Sequence, residues 1–295
     1  MAQTRRTLLW LLTLSIITAQ PQSADTAVEI RKDIPFAEVD GKTLQLDLYR
    51  PQKVERPPLI VWVHGGAWRA GSKSGMPLKA LVEDGYAIAS VDYRLSTVAP
   101  FPAQIHDIKA AIRFLRGHTT ELLLDASRIA IAGDSAGGHL AALVGVSNGQ
   151  PDLEGAVGTN RDQSSSVQAV VSFYGASNLK TILAQSTPHG LDVRVPALQL
   201  LLGGQPNEKP ELAALASPVT HVDASDPPLL LFHGDQDNQM PINQAHELVA
   251  AYQRLGLSVQ LEVLDGVGHG GKQFYDSDRM KILQRFLDGI LKKRS

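Results

Sequence analysis

Continuous apolar runs, each closed off by proline, glycine or aspartate, recur along this chain and restrict its fold more than any other feature. They are Pro58–His64 (PLIVWVH), Tyr86–Asp92 (YAIASVD), Arg128–Gly133 (RIAIAG), Val167–Phe173 (VQAVVSF) and Pro228–Gly234 (PLLLFHG). Runs this short, with no polar alternation, suit strands covered on both faces, the setting of a parallel sheet. Thr43–Arg50 and Ser258–Leu264 alternate apolar and polar residues instead, and the second reads as a strand nearer a sheet edge. Between the strands, Ile105, Ile108, Ile112 and Leu115 recur at helical spacing, with Pro102 placed for a first turn. Leu140, Leu143 and Val144 mark another helix, and Met280, Leu283, Leu287 and Ile290 a last one. The alternation predicts an α/β fold, a mostly parallel central sheet with helices on both faces.

A chain of 295 residues, 43% of them hydrophobic, can bury one large core, and no repeat or low-complexity linker divides it. One domain is expected. The irregular stretch Asn178–Asp226, rich in proline, glycine and leucine, is too long for an ordinary connection. It reads as a small cap at about 178–226 over the mouth of the sheet, without the long amphipathic helix of a lipid-activated lid.

The N-terminus carries Arg5 and Arg6, then LLWLLTLSIITA (Leu8–Ala19), then polar QPQSADTA. That is the layout of a signal peptide over residues 1–24, cleaved between 19 and 27, ahead of a domain at 25–295. Thr4–Leu9 also resembles a twin-arginine export signal that lacks the usual lysine. The run is shorter than the roughly 20 apolar residues that span a bilayer, so a stable membrane anchor is not expected. The expected location is exported, periplasmic or extracellular. A net charge of −2 without a basic patch argues against nucleic acid. The absence of cysteine excludes disulfides, thiolate metal sites and a cysteine nucleophile. No histidine pair has metal-ligand spacing on one helix, so no metal is expected.

Val61–Gly75 (VWVHGGAWRAGSKSG) collapses from an apolar run into a glycine turn. Such turns bring backbone N–H groups close to a negative oxygen. Gly66–Ser74 reads G-x-x-x-x-G-S-K-S, close to a phosphate loop, but with the lysine one place late. The decision comes from Ile129–Leu143 (IAIAGDSAGGHLAAL), where Gly133-Asp134-Ser135-Ala136-Gly137 is a G-x-S-x-G between a strand and a helix. The glycines permit a sharp turn that presents the Ser135 hydroxyl at the carboxyl edge of a sheet, at a helix N-terminus. A serine needs a base to take its proton and an acid to orient the base. In the chain order Ser, acid, His, the segment Phe232–Pro241 offers Asp235 and Asp237, and His269 stands in the glycine-flanked loop Leu264–Gly271.

With these motifs in place, the chain resembles the α/β-hydrolase superfamily and, within it, esterases carrying HGGxW, GDSAGG, HGxxDxxxP and GH. Asp92–Arg116 and Ser217–Asp237 are similar to bacterial bifunctional feruloyl and acetylxylan esterases. The resemblance implies Ser135 as nucleophile, His269 as base and Asp237 as acid, with Asp235 the runner-up. It implies an oxyanion hole from the N–H groups of Gly66, Ala67 and Ala136, with Ala67 standing where many relatives have a third glycine. Trp68, beside that loop, reads equally as a wall of the substrate pocket or as core. The implied chemistry is two-step hydrolysis of a small ester or acylated polysaccharide, needing neither metal nor organic cofactor. A general carboxylesterase or lipase stays open. A peptidase is less expected, since that relative adds a propeller, and so is a non-catalytic binding protein, since the triad is intact.

Overall fold

The computed structural model describes residues 28–292. Its strands are β1 (Val28–Val39), β2 (Lys42–Pro51), β3 (Pro58–Val63), β4 (Ala87–Val91), β5 (Asp125–Asp134), β6 (Ala169–Phe173), β7 (Leu229–Gly234) and β8 (Val259–Leu264). They form one sheet in the order β1-β2-β4-β3-β5-β6-β7-β8. β2 runs antiparallel to both β1 and β4, and the other pairings are parallel. The expected α/β-hydrolase architecture, a mostly parallel sheet with helices on both faces, is therefore present.

β3, β4, β6 and β7 are buried along their whole length, which is why their sequences are apolar without alternation. Their side chains still split by the two-residue period of a strand. Leu59, Val61 and Val63 of β3 join the core beneath one face, with Ile129 and Ile131 of β5. Ile60 and Trp62 join the other core, with Ala130 and Ala132. The first face is covered by the helices Ala103–Gly117, Ala136–Val146 and Asn243–Arg254, and the second chiefly by Ser277–Leu291. β8 lies at the sheet edge, as expected, with Gln260 and Val263 exposed.

β1 was not anticipated from the sequence. Ile30 is exposed, Pro35 interrupts the run, and register shifts at Arg31/Ile34 and Pro35/Ala37 break the alternation. Its pairing with β2, not its own pattern, makes it a strand.

The stretch between β6 and β7 holds the helices Ile182–Gln185, Pro188–Leu202 and Pro210–Leu215 and the 3-10 turn Pro218–Thr220. Pro188–Leu202, at 15 residues, is longer than the sequence suggested and contains Pro196. It buries Arg194, Ala197, Leu198, Leu201 and Leu202 but leaves Val195 and Leu200 exposed, so its apolar residues do not gather on one face. The expected signal peptide lies outside the described residues. Among the described residues, no helix is long and apolar enough to cross a membrane.

Candidate active site

The loops after β3, β5, β7 and β8 meet at the carboxyl edge of the sheet, where open α/β sheets bind ligands. Ser135 directly follows β5 and caps the helix Ala136–Val146 with φ 51° and ψ −115°, a sparsely populated backbone conformation. It is pinned from both sides. Its N–H donates to the Phe173 carbonyl at 2.9 Å, and its carbonyl accepts from the His139 N–H at 3.0 Å. The flanking glycines are demanded by packing. A Cβ on Gly133 would stand 2.4 Å from the Gly137 carbonyl oxygen, and one on Gly137 would stand 2.0 Å from the Val63 carbonyl oxygen. No side chain fits in either place.

His269 Nε2 lies 2.9 Å from Ser135 Oγ. Its Nδ1 lies 2.7 Å from Asp237 Oδ2. A carboxylate only accepts, so Nδ1 carries the proton and Nε2 is left to accept from the serine hydroxyl. Asp237 Oδ1 accepts from the N–H groups of Gln239 (2.9 Å) and Met240 (2.7 Å). His233 Nε2, 2.9 Å from the Met240 carbonyl, also lies 3.4 Å from Asp237 Oδ2. Burial disfavours the Asp237 charge, but hydrogen bonds from His233, His269 and the Met240 N–H outweigh it and hold the carboxyl well below the usual range. Asp235 is employed elsewhere, its Oδ1 accepting from the Gly266 N–H at 2.7 Å to close the turn after β8. Of the two aspartates, only Asp237 reaches the imidazole.

Gly66, Ala67 and Trp68 take φ values of 110°, 51° and 59°, and the Gly66 carbonyl accepts from the N–H groups of Arg69 (3.1 Å) and Ala70 (3.0 Å). The tight turn leaves the Gly66 and Ala67 N–H groups, and the helix start leaves that of Ala136, without an acceptor among the described residues. Gly66 and Ala67 line a cleft of about 510 Å³ together with Ser135, His269, Arg69, Ala70, Asp134, Tyr174, Gln239, Gly270 and Gly271. The phosphate-loop reading fails on Lys73. Its Nζ pairs with Asp33 (2.6 Å) and Asp47 (3.1 Å), so that lysine is not free for a phosphate.

Trp68 requires a correction. It does not wall the cleft. Its side chain is fully buried, and the indole Nε1 donates to His139 Nδ1 at 3.1 Å. The left-handed turn at Ala67 and Trp68 sends the backbone along the cleft and the indole into the core. His139, its partner, has Nε2 2.7 Å from the Ala216 carbonyl and is held neutral by burial, which lowers its pKa to about 4.

Sequence reasoning missed Tyr174, whose ring meets His269 edge-on at 4.8 Å and whose hydroxyl donates to Asp134 Oδ2 at 3.3 Å. Its position directly after β6 was the available signal, because residues at the carboxyl ends of the strands line such sites. Burial raises the Asp134 carboxyl, against hydrogen bonds from the Gly65 N–H and Tyr174.

Residues 46–252 match the family model described as BD-FAE. The chain belongs to the BD-FAE family. This BD-FAE chain is 33% identical over 224 residues to the probable carboxylic ester hydrolase LipM of Mycobacterium tuberculosis, a match covering 74% of the chain and 50% of LipM. It spans about half the length of the curated relatives it matches. A truncated form of a carbohydrate esterase from gut microbiota superposes with a TM-score of 0.81 at 30% identity, covering 92% of this BD-FAE chain and 99% of the truncated one. Propionate-bound esterase Est2 of Thermogutta terrifontis gives a TM-score of 0.72 at 26% identity, with 92% and 97% covered.

Proposed function

We propose that this BD-FAE protein is an exported serine esterase that cleaves short-acyl or hydroxycinnamoyl esters through an acyl-enzyme on Ser135. The observation that carries the proposal is the relay of Ser135, His269 and Asp237 at 2.9 and 2.7 Å beside unpaired N–H groups. In the first step His269 Nε2 takes the proton of Ser135 Oγ as that oxygen attacks the ester carbonyl carbon. The tetrahedral oxyanion is stabilised by the N–H groups of Gly66, Ala67 and Ala136. The imidazolium then protonates the departing alcohol, and the C–O bond breaks. Water attacks the acyl-enzyme by the reverse route, returning the proton to Ser135. Asp237, kept ionised by its hydrogen bonds, holds the imidazole tautomer and offsets the imidazolium charge.

Support for ester chemistry comes from relatives named as carboxylic ester hydrolase and carbohydrate esterase. A short acyl group is favoured because Ala67, Ala70 and Tyr174 are the cleft's only apolar side chains among the described residues. Export rests on the pattern of residues 5–19 alone. The test is kcat/KM across 4-nitrophenyl esters from acetate to palmitate, alongside acetylated xylan and methyl ferulate. Chains of about two to six carbons should be cleaved fastest, by differential transition-state binding in a short pocket. A maximum at palmitate would overturn the short-acyl assignment. Activity on short esters with none on xylan or ferulate would identify a general carboxylesterase, the reading favoured by the generic activity in LipM's name.

A further inference from the structure

The 15-residue helix of the inserted segment carries a cation where an apolar side chain would be expected. Arg194 is fully buried, and its Nη1 and Nη2 have no hydrogen-bond partner among the described residues. A buried guanidinium without full hydrogen bonding is costly, and packing alone would be served better by methionine or leucine. Its surroundings indicate what retains it. Nε donates to the Gln239 carbonyl at 3.3 Å, and the Gln239 N–H in turn donates to Asp237 Oδ1 at 2.9 Å. The guanidinium carbon stands 5.9 Å from the centre of the Trp68 ring, on the loop that presents the Gly66 and Ala67 N–H groups. The same helix is sewn to the acid loop about two turns earlier, where the N-cap Thr187 Oγ1 donates to the Asn238 carbonyl. There Gly190 approaches so closely that a Cβ would stand 3.0 Å from that oxygen.

We infer that Arg194 is a positioning residue, joining the acid-bearing loop to the oxyanion loop and placing a fixed positive charge beside the Asp237–His269 pair. The inference rests on the proposed esterase reading. Burial lowers the Arg194 pKa to about 10, the Asp237 charge supports the cation and Arg69 opposes it. At neutral pH the guanidinium therefore stays charged. The other titratable groups around Arg194 and the pair are Asp134 and Arg69 in the cleft, Tyr174 against the imidazole with Tyr275 behind it, His233 on Asp237, and His139, which stays neutral behind Trp68. Removing a fixed positive charge from beside the catalytic pair should move the acidic limb of kcat/KM to higher pH.

The test compares Arg194→Met, Arg194→Gln and Arg194→Lys in the purified protein, by thermal unfolding and by kcat and KM for 4-nitrophenyl acetate from pH 5 to 9. For the neutral variants, kcat should fall about ten- to a hundredfold with KM little changed, as displaced catalytic groups produce. The acidic limb should rise by about half a unit to one unit, and Arg194→Lys should return it to the wild-type position. An unmoved limb in a folded neutral variant would overturn the inference, whatever happens to kcat. If neither neutral variant folds, the lysine variant decides, because a displaced limb with the charge retained is equally fatal. An inactive Ser135→Ala protein combined with an unmoved limb would sink only the role of Arg194, whereas an active Ser135→Ala protein would remove the esterase reading beneath it.

Discussion

Asp237 Oδ2 and His269 Nδ1 stand 2.7 Å apart, while Asp235, two residues earlier, has its carboxylate on the Gly266 N–H. The two aspartates should therefore behave differently. Asp237→Asn places an amide against Nδ1, favours the wrong tautomer, and should lower kcat on the order of 10⁴-fold. Asp235→Asn should leave kcat within about tenfold and cost about 1 kcal/mol of stability through the turn. Steady-state kinetics and urea unfolding of both variants check this, and the reverse ranking would displace Asp237 as the acid.

Ser135→Ala removes the only hydroxyl that faces His269 Nε2 among the described hydrogen bonds. It should reduce kcat on the order of 10⁶-fold while the fold persists. Mass spectrometry after a phosphonylating reagent should show one adduct on the wild type and none on the variant. A turnover near wild type in a folded variant would remove the nucleophile assignment.

Gly137→Ala tests whether the elbow is built by packing. The new Cβ would press to 2.0 Å from a β3 carbonyl, a backbone atom that cannot rotate away. The cost should exceed about 4 kcal/mol, in the range of severe core disruption, or prevent folding altogether. A stable and active Gly137→Ala protein would mean that the helix sits farther from β3 than described.

Trp68→Phe should separate core from cleft. The substitution deletes the donor to His139 Nδ1 and leaves a buried acceptor unpaired, at a cost of about 1–3 kcal/mol. Because the indole lies outside the cleft, KM for 4-nitrophenyl acetate should change by less than about threefold. A large KM effect with unchanged stability would restore Trp68 to the substrate pocket.

Acid sensitivity should pass in part through His139. Its pKa is depressed to about 4 in the folded state, against about 6.5 when exposed, so between these values the unfolded chain binds more protons. Stability is therefore lost as pH falls from about 6.5 toward 4, by up to about 1.4 kcal/mol per pH unit from this group. His64, also lowered by burial, contributes in the same direction. Urea unfolding at pH 7 and pH 5 should show a smaller decline for His139→Gln than for wild type. Equal declines would exclude His139 as a source.

What the sequence determined by itself was everything encoded by near neighbours. The two-sided burial of β3, β4, β6 and β7 appears as apolar runs because each residue in them meets a core. The elbow at Ser135 is legible because its glycines and its serine lie within one turn of chain. The family pattern also singled out His269 and favoured Asp237, though the spacing alone left Asp235 open. Tertiary structure decided what depends on partners distant in sequence. β1 exists through β2, and Trp68 faces inward to meet His139, 71 residues away. Arg194 reaches the acid loop 45 residues on, through Gln239. The physical reason is the same in each case. Burial periodicity and turn chemistry are local properties of a chain, whereas the direction a side chain faces, and the charge it must live beside, are set by surfaces that meet only when the sheet has closed its cores.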